Sequence, residues 1–231
     1  MNEPLVLLPG MMCDARLFAP QIAKLSSARG VMVAPLTGDK SFAGLAQSFL
    51  RHAPPRFALA GLSMGGIAAM EIIRQAPERI SRLALLDTNP LVDPTDRAKQ
   101  RNEQMRRVAG GSLQQIMRDE MKPHYLAKSP NRDAVLDLCM DMALALGADV
   151  FITQSCAVRD RPDQCETLRG VKVPTLILCG AEDRLCPVER HQMMQGLITG
   201  AELVVIDKAG HLPTIEQPQS TNEALEQWLK M

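Results

Sequence analysis

The chain has 231 residues, with 26 Lys plus Arg against 26 Asp plus Glu, so its formal charge is zero. That balance argues against a general nucleic-acid or anionic-membrane partner, since both select a basic surface. The length can bury a large core, either as one domain or as one domain carrying an inserted cap. The six cysteines, at 13, 139, 156, 165, 179 and 186, show no metal-ligand spacing and read as reduced thiols of a cytoplasmic protein. Met1-Asn2-Glu3-Pro4 lacks the basic start of a secretory signal, and no apolar run is long enough to span a bilayer.

Leu5-Val6-Leu7-Leu8 reads as a fully buried first strand, ending in the sharp loop Pro9-Gly10-Met11-Met12-Cys13-Asp14. Leu17 to Leu25 is expected to be helical. Val31-Met32-Val33-Ala34 is the second strand, closed by Pro35, and Ser41 is placed to cap a helix running to about Arg51. Phe57-Ala58-Leu59-Ala60 is the third strand. It leads into Gly61-Leu62-Ser63-Met64-Gly65, a G-x-S-x-G pattern, and then into a helix that stops before Pro77. A serine between a buried strand and a helix sits on a tight turn, so its hydroxyl is pushed out of the sheet edge. The first N–H groups of the helix then face whatever the serine attacks. Arg82 to Asp87 is the fourth strand. Continuously apolar strands alternating with helices predict a parallel sheet covered on both faces.

The rhythm changes between Pro90 and Arg169, where no good strand is found. Asp96 to Val108 is densely charged and helical. Ser112-Leu113-Gln114-Gln115 has the form of a capping box, with Leu113, Ile116, Met117 and Met121 on one face. Asn131 is placed to cap a further helix, and Asp149 to Val158 forms another. This stretch is far longer than a single crossover needs, and it predicts a helical cap over the sheet's C-terminal edge. The division is therefore 1–90 and 170–231 as the core and 91–169 as the cap. The sheet resumes at Val173 to Cys179, followed by Gly180-Ala181-Glu182-Asp183 and by a helix opened by Pro187. Glu202 to Ile206 is the last strand, leading into Gly210-His211-Leu212-Pro213. A helix from about Pro218 to Lys230, anchored by Trp228, closes the chain. The fold class is α/β, with a mostly parallel sheet of about six strands and helices on both faces.

An unassisted serine is a weak nucleophile. It needs a base to take its proton and an anion to orient that base. Such groups collect beyond the carboxyl ends of the strands in an open parallel sheet. Ser63, Asp183 and His211 each follow a strand end, in the order Ser, Asp, His. Asp183 is preferred as the acid over Glu182, Asp207 and Asp87. Asp87 follows the fourth strand, but Thr88-Asn89-Pro90 also fits a simple turn there. His52, His124 and His191 read as solvated helix or loop residues.

These motifs resemble the α/β-hydrolase superfamily, in its branch of small capped esterases and lactonases. The resemblance spans nearly the whole chain. It rests on Gly61-Leu62-Ser63-Met64-Gly65-Gly66, on Gly180-Ala181-Glu182-Asp183 followed by Pro187, and on Gly210-His211 followed by Glu216 and Pro218. Leu7-Leu8-Pro9-Gly10 occupies the place of the family's oxyanion loop, with Pro9 where a histidine is usual. The resemblance implies an α/β-hydrolase fold with Ser63 as nucleophile, His211 as base, Asp183 as the acid that orients it, and the N–H groups of Met11 and Met64 as oxyanion donors. Met12, His124 and Tyr125 are the candidate pocket residues. No metal or organic cofactor is required. The expected activity is hydrolysis of a small or medium, fairly apolar ester or lactone. C–C bond, thioester or amide hydrolysis and cofactor-free perhydrolysis are alternatives on the same triad, and a ligand-binding protein without turnover is a more distant one.

Overall fold

The computed structural model describes residues 3–231. Met1 and Asn2, part of the N-terminal stretch read above, lie outside the described residues. Six strands form one sheet: β1 (Leu5–Leu8), β2 (Val31–Val33), β3 (Phe57–Leu62), β4 (Ile80–Leu86), β5 (Thr175–Gly180) and β6 (Glu202–Ile206). Their order is β2-β1-β3-β4-β5-β6, and every neighbouring pair is parallel. The apolar strands sit where the physics requires them. Strands β1, β3 and β5 are buried along their full length, whereas the edge strands β2 and β6 carry exposed positions.

Alternate side chains of each strand enter opposite layers. Val6, Leu8, Leu59, Leu83 and Leu85 pack beneath α2 (Phe42–His52), α3 (Met64–Gln75) and α8 (Val188–Leu197). Leu5, Leu7, Ala58, Ala60 and Leu86 pack on the other face, against α1 (Ala19–Leu25) and the C-terminal helix α9 (Pro218–Trp228). Trp228 is fully buried and donates its indole N–H to the Pro174 carbonyl at 3.3 Å. Ser41 caps α2, accepting from the Gly44 N–H at 3.1 Å.

Between β4 and β5 the described chain contains only helices and loops. They are α4 (Thr95–Ala109), α5 (Leu113–Ile116), a π-helical turn (Met117–Met121), a 3-10 turn (Lys122–His124), α6 (Arg132–Arg159) and α7 (Cys165–Arg169). Their shared apolar cluster contains Val108, Leu113, Ile116, Met117, Ala143 and Phe151. Two local expectations are corrected here. Ser112 and Asn131 start α5 and α6 without a side-chain cap bond, because both have near-helical ψ rather than the extended backbone that aims a capping oxygen. The further helix expected from Asp149 is present: within α6 the backbone breaks at Gly147, whose φ is 83° and ψ 177°, and a second helix runs on from there. No helix among the described residues is long and apolar enough to cross a membrane.

Candidate active site

The close approach of β3 and α3 decides the geometry at Ser63. A Cβ on Gly61 would lie 2.2 Å from the Gly65 carbonyl oxygen, and one on Gly65 would lie 2.0 Å from that of Leu8. Only hydrogen fits at either place. Between them Ser63 is forced to φ 55° and ψ −114°, a conformation that costs a side-chain-bearing residue about 1–3 kcal/mol. Surrounding bonds hold it there: the Ser63 N–H donates to the Leu86 carbonyl at 2.8 Å, and Thr88 Oγ1 donates to the Ser63 carbonyl at 2.7 Å. Thr88 therefore braces the turn, a role hidden in the sequence because Thr88-Asn89-Pro90 looks like an ordinary turn.

His211 follows β6 and brings Nε2 to 2.9 Å from Ser63 Oγ, while its Nδ1 lies 2.7 Å from Asp183 Oδ2. The other Asp183 oxygen accepts the N–H groups of Leu185 at 2.8 Å and Cys186 at 3.1 Å. Both carboxylate oxygens are thus in use. Burial pushes the Asp183 pKa up, but the neighbouring imidazole and these donors outweigh it, so the carboxyl stays below its ordinary value. Asp87 behaves oppositely. It is fully buried, accepts one N–H from Gly180 at 2.9 Å, and leaves Oδ2 without a partner among the described residues. Burial, with the Asp183 charge next, raises its pKa well above the carboxylate range. Glu182 and Asp207 are exposed. The histidine's contact is with Asp183 alone among these four.

The loop carrying His211 is fastened by Glu216. Its Oε2 accepts from Gly210 at 3.0 Å and from Ala127 at 2.8 Å, and its Oε1 accepts from Leu212 at 2.9 Å. The His211 N–H in turn donates to the Tyr125 carbonyl at 2.6 Å. The signal for Glu216 in the sequence was its fixed distance from His211, which gave no hint of its three backbone partners.

These groups open into a cavity of about 360 Å³. Met11, Met64, His124 and Tyr125 line it, and the Tyr125 ring centroid lies 5.9 Å from that of His211. Among the described residues, the N–H groups of Met11 and Met64 have no hydrogen-bond acceptor. Met12 is not part of the wall. It points into the helical cluster beside Phe151, and its N–H donates to Gln154 Oε1 at 2.9 Å. A positive φ of 57° turns it away from the loop's open side. His191 is likewise corrected: it is fully buried, with Nε2 accepting from the Thr88 N–H at 3.1 Å and Nδ1 donating to the Pro187 carbonyl at 3.2 Å. Burial lowers its pKa to about 4, so it is a neutral packing residue. His52 and His124 are exposed, as expected.

Asp183, Cys186 and His211 bring potential metal-ligand atoms within 4.8 Å of one another. Two of the three are already bonded to each other, and burial raises the Cys186 thiol well above its ordinary pKa, which disfavours the thiolate that a metal needs.

The model of the alpha/beta hydrolase family matches residues 5–224. The chain belongs to that family. A pimeloyl-[acyl-carrier protein] methyl ester esterase of Klebsiella pneumoniae (strain 342) is 28% identical over 202 residues, covering 81% of this chain and 75% of the relative. A malate-bound thermophilic esterase from Thermogutta terrifontis superposes with a TM-score of 0.90 at 26% identity, over 100% of this chain and 90% of that one. The enol-lactonase from Burkholderia xenovorans LB400 superposes with a TM-score of 0.86 over 100% of this chain and 92% of its own, and at 20% identity that likeness concerns the fold. The all-parallel sheet and its flanking helices are this hydrolase family's fold.

Proposed function

We propose that this hydrolase cleaves carboxylic esters, small-molecule esters or lactones, through an acyl-enzyme on Ser63. The observation that carries the reading is the unbroken series from Ser63 Oγ to His211 at 2.9 Å and from His211 to Asp183 at 2.7 Å. The esterase names among its relatives support the same substrate class.

The steps follow from the geometry. His211 Nε2 accepts the Ser63 proton as Oγ attacks the acyl carbon, and the resulting imidazolium faces the Asp183 carboxylate. The negative charge that develops on the substrate oxygen is held by the N–H groups of Met11 and Met64, the latter at the start of α3 where the helix field is positive. His211 then gives its proton to the departing alcohol oxygen. Water, deprotonated by the same Nε2, attacks the acyl-serine and releases the acid. In this reading residues 91–169 are the cap of a core formed by 1–90 and 170–231, and the cap selects the substrate.

The test is p-nitrophenyl butyrate hydrolysis, together with labelling by a serine-directed fluorophosphonate. The native chain is expected to turn over the ester and to carry the label on Ser63. Ser63→Ala should lose both, with kcat falling by about 10⁴-fold or more. Label on another residue, or unchanged turnover in the variant, removes Ser63 from the role.

A further inference from the structure

The cavity's charge is out of keeping with the molecule that contains it. The whole chain has as many acidic as basic side chains. Yet the wall of this cavity carries Arg97, Arg101, Arg161 and Arg190 against Asp93 and Glu120. Both acids are already occupied. Asp93 has a nearly buried side chain and divides its two oxygens between Arg101 at 2.8 Å and Arg161 at 2.9 Å. Glu120 is taken by Arg107, which is not among the residues lining this cavity, and by Gln104 Nε2 at 3.0 Å. Among the described residues, the guanidinium groups of Arg97 and Arg190 have neither an ion pair nor a hydrogen bond.

The four arginines are also contiguous. Arg97 precedes Arg101 by one turn of α4, so the two share a helix face. Arg101 and Arg161 meet at Asp93. Arg161, Cys186 and Arg190 line the same cavity, and Cys186 adjoins Asp183. A basic arc thus lines the same cavity as Ser63, Met11 and Met64. Wall charges of one sign in a cleft with low-dielectric sides concentrate the field and draw in the opposite charge.

Resting on the esterase reading, we propose that the arc is an anion subsite: the substrate carries a carboxylate or phosphate group remote from the scissile carbonyl, and Arg97 and Arg190 bind it. Their planar guanidinium groups suit the two oxygens of such an anion better than a point charge would. Arg101 and Arg161, fixed by Asp93, supply the remaining field. This narrows the fairly apolar ester expected from the sequence to one with an apolar middle and a charged end.

Two arms test it. In the first, monomethyl adipate, which is anionic, is compared with dimethyl adipate, which is neutral and nearly the same shape. The native protein is expected to show a higher kcat/KM for the half-ester, expressed mainly in KM and reduced by added salt. The Arg97→Gln/Arg190→Gln double variant should lower the ratio of the two kcat/KM values about tenfold or more. No preference in the native protein, or a ratio unchanged by the double substitution, overturns the subsite. Both side chains are exposed, so the substitutions leave the packed core intact.

The second arm needs no turnover. Glutarate and inorganic phosphate are titrated calorimetrically into Ser63→Ala, and into the same chain with both arginines replaced. Binding of either anion that weakens about tenfold in the triple variant supports the subsite, and the tighter of the two identifies the source of the charge. Absence of binding by both overturns it. Should neither adipate ester be hydrolysed, the esterase reading falls alone, and the titration still decides whether the anion site exists.

Discussion

The rim of the sheet and the helical stretch between β4 and β5 hold their side chains by different means. At the rim, backbones touch. Gly61, Gly65 and Gly180 leave no room for a methyl group, and His211 is held within hydrogen-bond distance of both Ser63 and Asp183. In the helical stretch the core mixes Val108, Leu113, Ile116 and Phe151 with the more adaptable Met117, and many charges pair at the surface, as Arg106 does with Glu103 at 2.6 Å and Arg118 with Asp119 at 2.6 Å. The difference teaches where each kind of information resides. The rim prescribes a reaction through backbone geometry that tolerates little change. The helices present a replaceable wall, and a wall can change its substrate without disturbing the chemistry.

The sharpest way to break this comparison is at the two carboxyls on neighbouring strands. Asp183→Asn should reduce kcat/KM by about 10³–10⁴-fold with the fold intact, because His211 loses the anion that sets its tautomer. Asp87→Asn should cost less than about tenfold, since burial already disfavours the charged carboxylate, His211 does not contact it, and an amide keeps its acceptor for Gly180. Steady-state kinetics with both variants side by side checks this. The reverse ranking would move the acid to β4.

Next in size is Gly65→Ala. Its methyl group would press on the backbone of Leu8, which cannot rotate away, so a loss of about 3 kcal/mol or more is expected by urea denaturation. A well-folded variant with native stability would show that the rim is softer than described.

His191 sharpens the comparison through pH. In the folded chain it takes up a proton only below about 4, whereas an unfolded chain does so below about 6.5. Stability from this group is therefore whole above pH 6.5 and drains away as the pH falls toward 4. Between pH 7 and pH 4.5, His191→Gln should lose about 2 kcal/mol less than the native chain, read from urea midpoints. The smallest effect belongs to the helical stretch: Arg106→Ala removes an exposed ion pair and should leave Tm within about 1 °C in a thermal scan.

What could be read in advance follows the same divide. That Ser63 and His211 would meet was legible because glycines adjoin them for steric reasons that any chain of this shape shares. The parallel sheet was legible from strands apolar on both faces. Asp183 was ranked first but not separated from Asp87, since sequence position says nothing about which carboxyl turns toward an imidazole. The caps at Ser112 and Asn131 failed because composition does not fix ψ. His191 misled because a histidine in a helix reads the same in sequence whether it faces water or the protein interior. Met12 misled because its neighbour Met11 faces the cavity while it turns away. The basic cluster was invisible in outline: Arg97 and Arg101, Arg161, and Arg190 come from three separate stretches of chain and meet only in space.

Glu216 joins the two regions at one point. A single carboxylate grips both sides of His211 and, through Ala127, the chain just beyond the 3-10 turn. Any breathing of the upper layer that lifted residues 125–127 would drag the imidazole off its serine.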